Sequence, residues 1–496
     1  MTEVEAGNFG QGGSAESTLS LGEQEIAYDA IADWLTLYKE EKPIAKMFFC
    51  AYFAQSNQSA QRPLTFVFNG GPGAASAYLH MGAVGPKRLL FGHQGSLPRP
   101  PVKVLDNHES WLSFSDLVFV DPIGTGFSRA LPPEAAKEDA STKGDEKVKE
   151  TPFWEMDRDL RSLGEFIVSF LTKYQRWLSP IYIAGESYGG FRVAKLTKML
   201  QQDFGVGLSG ALLISPALEF SFLDGGDYNL SYWATLVPAF AAVAVQHGRS
   251  KWVGETGDWS AQLGAAEQFA RQTLIPFLAL GDLASENEAA SVYEQLANLT
   301  GLSTDLVSLH QGRIERDLFA RELLRDQRLV VGLYDGSVTS IDPFPDRLNF
   351  EGSDPTLDGS QRLFTAAVNH HLRDTLGVET ELTYKLLNFD VFKAWRYNKA
   401  GQNDFKQGYV GAVDDLRVGL TLNPHLRIMI NHGYFDLVTT YFASDYLVAL
   451  MKTTPQIRDR IHQSHYLGGH MFYSWESSRK QWYQAVNEFY NDVKVS

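Results

Sequence analysis

Apolar residues along this 496-residue chain fall into three textures. Near the start, "QEIAYDAIADWLTLY" and "KPIAKMFFCAYFAQ" mix β-branched and aromatic residues around the polar "KEEK". That pattern predicts two antiparallel strands joined by a turn. From Pro63 the runs shorten and become wholly apolar: "LTFVFNG", "DLVFVD", "IYIAGES", "ALLISP" and, far later, "LRIMINHG". Such runs are what strands buried on both faces require. Helical periodicity lies between them, clearest in "FWEMDRDLRSLGEFIVSFLTKYQRW". Strands alternating with helices predict an α/β fold with a mostly parallel sheet. The rhythm breaks over residues 221–410, where "AAEQFARQTLIPFLAL" and "RIERDLFARELLRD" are helical and no buried strand shows. The expected organisation is a disordered segment at 1–18, a core from 19–220 and 411–496, and a helix-rich cap inserted at 221–410. The polar stretch 131–150 is expected to be a mobile surface loop.

Composition narrows the function classes. A net charge of −15 with no basic run argues against a nucleic-acid partner. Cys50 is the sole cysteine, so intramolecular disulfides and cysteine zinc sites are excluded. Its apolar setting, "KMFFCAYF", fits a small buried hydrophobe. No run of about 18 apolar residues occurs; "WATLVPAFAAVAV" is too short and contains Pro238. No membrane association is therefore expected. "MTEVEAGNFGQGGSAEST" has no apolar core of a secretion signal. The expected location is cytoplasmic, or exported if the start is trimmed or misassigned.

Candidate chemistry begins at "IYIAGESYGG", where a strand pattern runs into Gly-x-Ser-x-Gly and then a helical pattern. That setting is the nucleophile elbow: small flanking residues let the chain turn sharply and leave the serine oxygen exposed. Alone the motif is weak, since chance supplies roughly a quarter of an occurrence in such a chain. A serine nucleophile needs a base, and the base needs an orienting acid, which in this fold follow in the order Ser, Asp or Glu, His. Ser187, Asp436 in "NHGYFD" and His470 in "GGHM" satisfy the order. Asp436 could instead cap the following helix, with Asp445 nearby. His432, His462 and His465 are competing bases, although none sits in a Gly-Gly turn. A metal site at His462, His465 and His470 has no carboxylate at a known ligand spacing.

A second cluster, "FVFNGGPGAAS", follows the first buried strand. Consecutive glycines let backbone N–H groups approach a developing oxyanion. With "VDPIGTGFS", "GESYGG" and the late pair "NHGYFD" and "GGHM", the chain resembles the serine carboxypeptidases, in particular bacterial-type members without disulfides. The resemblance implies an α/β-hydrolase fold and removal of C-terminal residues from peptides. It implies a Ser187–His470–Asp436 triad and an oxyanion hole from the N–H groups of Gly71 and Tyr188. It also implies that Asn69 and Glu186 bind the substrate's terminal carboxylate. A protonated Glu186 could donate to that carboxylate, which would itself raise the glutamate's pKa; activity should then favour acid pH. No metal or organic cofactor is implied, and the partner would be a peptide with a free C-terminus. An esterase or acyltransferase could share the triad, and a catalytically dead binding relative would be expected to lack one of its members. Three positions depart from the family pattern. Ala74 stands where a disulfide cysteine is usual. Ala83 stands where a glutamate usually meets the residue matching Glu186, which removes part of the acid-pH tuning. Phe472-Tyr473 replaces the usual Val-Pro after Gly-His-Met.

Overall fold

The computed structural model describes residues 9–22, 24–56, 61–131, 153–251, 259–347, 351–397 and 409–491. One ten-stranded sheet organises it. Its strands are β1 (Gly13–Leu21), β2 (Gln24–Lys39), β3 (Lys42–Ala54), β4 (Leu64–Phe68), β5 (Asp116–Val120), β6 (Arg129–Ala130), β7 (Ile181–Glu186), β8 (Gly210–Ile214), β9 (Arg427–Gly433) and β10 (Ile461–Tyr466). Their spatial order is β1-β2-β3-β5-β4-β7-β8-β9-β10, with β6 also on β3. The pairs β1–β2, β2–β3 and β3–β5 are antiparallel, and every pair from β5 through β10 is parallel. This is the mostly parallel α/β sheet expected from the alternation of short apolar runs and helices, and it agrees with the α/β-hydrolase fold that the resemblance implied. The β2–β3 hairpin turns through Glu40 and Glu41, both at positive φ, as a two-residue turn demands.

The buried strands show why an unbroken apolar run suits a covered sheet. Along β4 all five residues are buried. Leu64, Phe66 and Phe68 face one core, and Val67 faces the other. The polar member, Thr65, is satisfied by the hydroxyls of Ser115 (2.6 Å) and Tyr490 (2.8 Å). The first core holds α1 (Met156–Lys173) and α2 (Tyr188–Asp203), whose apolar stripes lie on that face of the sheet. The second takes the C-terminal helix.

The insert is less uniform than the sequence suggested. Its first half, including α3 (Leu230–Gln246), packs around a separate apolar core. That helix contains the apolar run around Pro238 and is buried in this cluster. None of the described helices is long and apolar enough to cross a membrane. The second half is joined to the main body: Leu363, Phe364, Ala367 and Val368 are part of the core that also holds Tyr78 and Met81.

The disordered N-terminus needs a correction. Residues 13–18 belong to β1, which pairs along its length with β2; the alternation of half-buried and exposed positions is that of an edge strand. Residues 1–8 lie outside the described residues, as does nearly all of the loop expected at 131–150.

Candidate active site

The sheet places the expected site residues at the C-terminal ends of neighbouring strands. Asn69 follows β4, Ser187 follows β7, Asp436 lies three residues beyond β9 and His470 four beyond β10. The connection switches sides at β4, with β5 on one flank and β7 on the other, and crevices at such points are where α/β sheets bind ligands.

Ser187 occupies the elbow with φ 61° and ψ −124°, a conformation that a non-glycine residue holds only under local constraint. The constraint is visible: its N–H donates to the Ile214 carbonyl (2.9 Å), while its own carbonyl accepts from Gly190 (2.9 Å) and Ala217 (3.1 Å). Glu186 and Tyr188 are buried on either side, and Ser187 alone is partly exposed. Tyr188 is the first residue of α2, so its N–H has no acceptor within the helix.

The glycine loop lies directly against this elbow. A Cβ on Gly70 would fall 2.5 Å from the Tyr188 nitrogen and 2.8 Å from the Glu186 carbonyl oxygen. Only glycine allows that approach, and it brings Gly71 and Tyr188, the two expected oxyanion donors, into adjoining backbone. Arg192, five residues after the serine, fixes the contact from below. It donates to the Asn69 carbonyl (2.6 Å) and pairs with buried Asp159 (2.7 Å).

Asp436 and His470 meet as expected. His470 Nδ1 lies 2.7 Å from Asp436 Oδ2, and because the carboxylate only accepts, Nδ1 carries the proton and Nε2 is left as the basic nitrogen. Asp436 is fully buried. It also accepts from the N–H groups of Val438 (2.8 Å) and Thr439 (3.0 Å) and from the Thr439 hydroxyl (2.7 Å). The capping alternative fails, because Thr440 is the N-cap of the helix that follows. Asp445 pairs with His465, and His432 Nε2 contacts the Ser444 hydroxyl. Burial works against charging His470, yet the charge and hydrogen bond of Asp436, with Glu186 behind them, raise its pKa above the usual imidazole value.

Glu186 is also buried, and both its oxygens are engaged. Asn69 Nδ2 donates to Oε2 (2.5 Å) and the Tyr473 hydroxyl to Oε1 (2.8 Å). The Asn69 amide orientation is fixed, since its Oδ1 accepts from the Leu79 N–H (3.0 Å). Burial raises the Glu186 pKa from 4.5 to about 7, against the lowering influence of His470 and the two donors. Asn69, Gly71, Glu186, Ser187 and His470 line one cleft, which the insert closes with Tyr334, Leu357 and Leu387.

Three positions with structural consequences were not read from the sequence. Thr439 braces Asp436 and also reaches the Ser215 carbonyl (2.9 Å); its place three residues after the aspartate is the one available signal. Tyr334 accepts the His470 N–H (2.5 Å) and meets its ring edge-on, a contact from the insert that sequence spacing does not reveal. Tyr473 stood out only as a departure from the family pattern.

Residues 23–219 match the family described as serine carboxypeptidase. Among curated relatives, serine carboxypeptidase-like 13 of Arabidopsis thaliana is 26% identical over 202 residues, 40% of this chain and 41% of that protein. A pheromone-processing carboxypeptidase of Aspergillus fumigatus is 29% identical over 166 residues, 32% of this chain and 21% of that protein. The chain thus spans about two fifths or less of the length of these relatives. A solved proline iminopeptidase of Mycobacterium smegmatis superposes with a TM-score of 0.35 at 12% identity, over 97% of this chain and 98% of that one. The family match covers Asn69, Gly71, Glu186, Ser187 and Tyr188 and stops before Asp436 and His470. Over residues 23–219, which carry the glycine loop and the elbow, this chain is similar to the serine carboxypeptidases.

Proposed function

We propose that the protein is a serine carboxypeptidase that removes the C-terminal residue of peptides. Ser187 would attack the last peptide carbonyl while His470 Nε2 takes its proton and Asp436 holds the imidazole. The tetrahedral oxyanion would be met by the N–H groups of Gly71 and Tyr188. Collapse expels the C-terminal amino acid, whose amine takes the proton back from His470 and leaves an acyl ester on Ser187. Water, deprotonated by His470, then releases the shortened peptide. None of these steps calls on a metal or an organic cofactor.

The observation that carries the reading is the Asn69–Glu186 pair in the cleft beside Ser187. An esterase or acyltransferase whose substrate lacks a carboxylate has no use for a buried carboxyl next to its nucleophile. A carboxypeptidase does, because a protonated Glu186 donates to a terminal carboxylate and an ionised one repels it. The pH dependence follows from the signs. His470 must be neutral, so activity rises with pH through a value above the ordinary imidazole range. Glu186 must keep its proton, so recognition fades as pH passes about 7. The basic limb for free-acid peptides should therefore stand at about 7, higher than the acid pH that the resemblance implied.

The test compares N-blocked dipeptides with free and amidated C-termini, following amino-acid release across pH. A strong preference for the free acid is expected. Equal rates on both would refute the assignment.

A further inference from the structure

Glu186 is surrounded by donors in an arrangement that fixes where its own proton can point. Asn69 Nδ2 is a donor only, and its orientation is locked by the Leu79 N–H. The second contact comes from Tyr473, three residues beyond His470 in the short turn Phe472–Ser474. The phenol is fully buried, and its pKa stands well above 10, first through burial and then through the charge of Glu186. It therefore keeps its hydrogen throughout the working range and gives it to Oε1. With a donor on each oxygen, the carboxyl proton of Glu186 is kept off both of those contacts, and Glu186 lines the cleft.

Tyr473 is held for this role by its packing. Its ring stacks with Trp482 at 6.0 Å, and its carbonyl accepts from Arg479 (3.1 Å). The helix after the glycine loop makes room for it: a Cβ on Gly82 would come within 3.1 Å of the Tyr473 ring. The next residue, Ala83, is buried. The missing side chain of Gly82 thus leaves the space that the phenol from the C-terminal turn fills.

We propose that Tyr473 is a positioning residue of the carboxylate subsite: by donating to Glu186 Oε1 it turns the glutamate's proton toward the substrate and sets the pH at which that proton is lost. The inference rests on the carboxypeptidase reading. The other groups acting on Glu186 are Asn69 from the glycine loop, His470, which favours the charged form, and Asp436, which opposes it. Tyr78, from the helix following the glycine loop, is in turn affected by Glu186. None of these is altered by removing one hydroxyl from Tyr473.

The experiment measures kcat/KM against pH for Tyr473→Phe, Glu186→Gln and the double variant, on an N-blocked dipeptide and on its C-terminal ester. Losing a hydrogen bond to the ionised glutamate should move the basic limb for the free acid upward by about one pH unit or more. The ester profile should show no such shift of a basic limb, and Tyr473→Phe should add nothing in the Glu186→Gln background. If Glu186→Gln moves the free-acid profile and Tyr473→Phe does not, or if Tyr473→Phe moves acid and ester alike, the proposal is overturned. If Glu186→Gln leaves the free-acid profile unmoved, it is the carboxylate reading that fails. Tyr473 is then judged from the infrared carboxyl band that Glu186→Gln removes. Its titration point must rise in Tyr473→Phe, and an unchanged titration point overturns the role.

Discussion

Replacing Glu186 with glutamine removes one titrating proton from the interior, and its effect on stability can be worked out in advance. In the folded protein the carboxyl is held at about 7 against an ordinary 4.5, chiefly by burial. A carboxyl with a raised folded-state pKa favours folding fully only below its unfolded value. That contribution is lost progressively as pH rises through the folded value. The rise from 4.5 to about 7 corresponds to about 3 kcal/mol at alkaline pH. Most of this falls in an accessible range: from about pH 5.5 to pH 8 the native protein should lose about 2 kcal/mol on account of Glu186 alone. The glutamine variant should not lose it. Glutamine can keep both contacts, with its oxygen toward Asn69 and its amide toward Tyr473, whose hydroxyl then accepts.

The assay is urea unfolding of both proteins at the two pH values, followed by tryptophan fluorescence. The quantity of interest is the difference between their losses. Other buried carboxyls, such as Asp121 at about 7 and Asp335 at about 6, titrate in both proteins and cancel. Parallel losses in native and variant protein would mean that Glu186 titrates like an ordinary carboxyl. The account of the buried, doubly donated glutamate would then be wrong.

Gly70→Ala should lower kcat by 10²-fold or more, as expected when an oxyanion donor is displaced. The new methyl meets backbone at Tyr188 and Glu186 that has no room to yield; circular dichroism should show the fold retained. Asp436→Asn should reduce kcat by about 10⁴-fold with the geometry kept, because the wrong tautomer of His470 is then held; steady-state kinetics on the blocked dipeptide measures it. Arg192→Ala leaves Asp159 buried without its partner and should destabilise by about 3–5 kcal/mol. Urea midpoints measure that loss, and activity should fall as well because the Asn69 carbonyl loses its donor.

Much of the sheet was legible because burial on both faces demands unbroken apolar runs, and β4, β5, β7, β8 and β9 each have one. Three strands of the sheet went unread: the two-residue β6, and β1 and β10, which lie at opposite ends of the sheet. In β1 the sequence "GSAESTLSL" alternates only weakly, and in β10 "IHQSHY" is largely half-buried; neither needs apolar residues on both sides. The residues now found together in the cleft were legible from motif order, since each follows a strand at the same edge. What spacing could not supply were the long-range braces: Arg192 on the Asn69 carbonyl, Tyr334 on His470 and Tyr473 on Glu186. The division of the insert was hidden for a similar reason. Helical periodicity identifies an apolar face and not the surface it meets, so Phe364 against Tyr78 could be seen only once the chain was folded.

The coupling between Glu186 and His470 carries a consequence for the proposed reaction. The ionised glutamate raises the histidine's pKa, and the charged histidine lowers the glutamate's. Near neutrality one proton is shared between two arrangements. With the proton on Glu186 and His470 neutral, the site binds a terminal carboxylate and has a free base. With the proton on His470 and Glu186 ionised, it does neither. Both carry the same number of protons, so pH alone cannot convert one fully into the other, and the observed limbs belong to the pair. Tyr473 biases this balance because its donated hydrogen bond stabilises the ionised glutamate, and with it the unproductive arrangement. Removing the hydroxyl should therefore widen the free-acid band on its basic side, while a substrate without a carboxylate, indifferent to Glu186, follows His470. A short stretch of chain thus links the base to the carboxylate subsite: His470 stands two residues before the turn Phe472–Ser474, and Tyr473 lies within it.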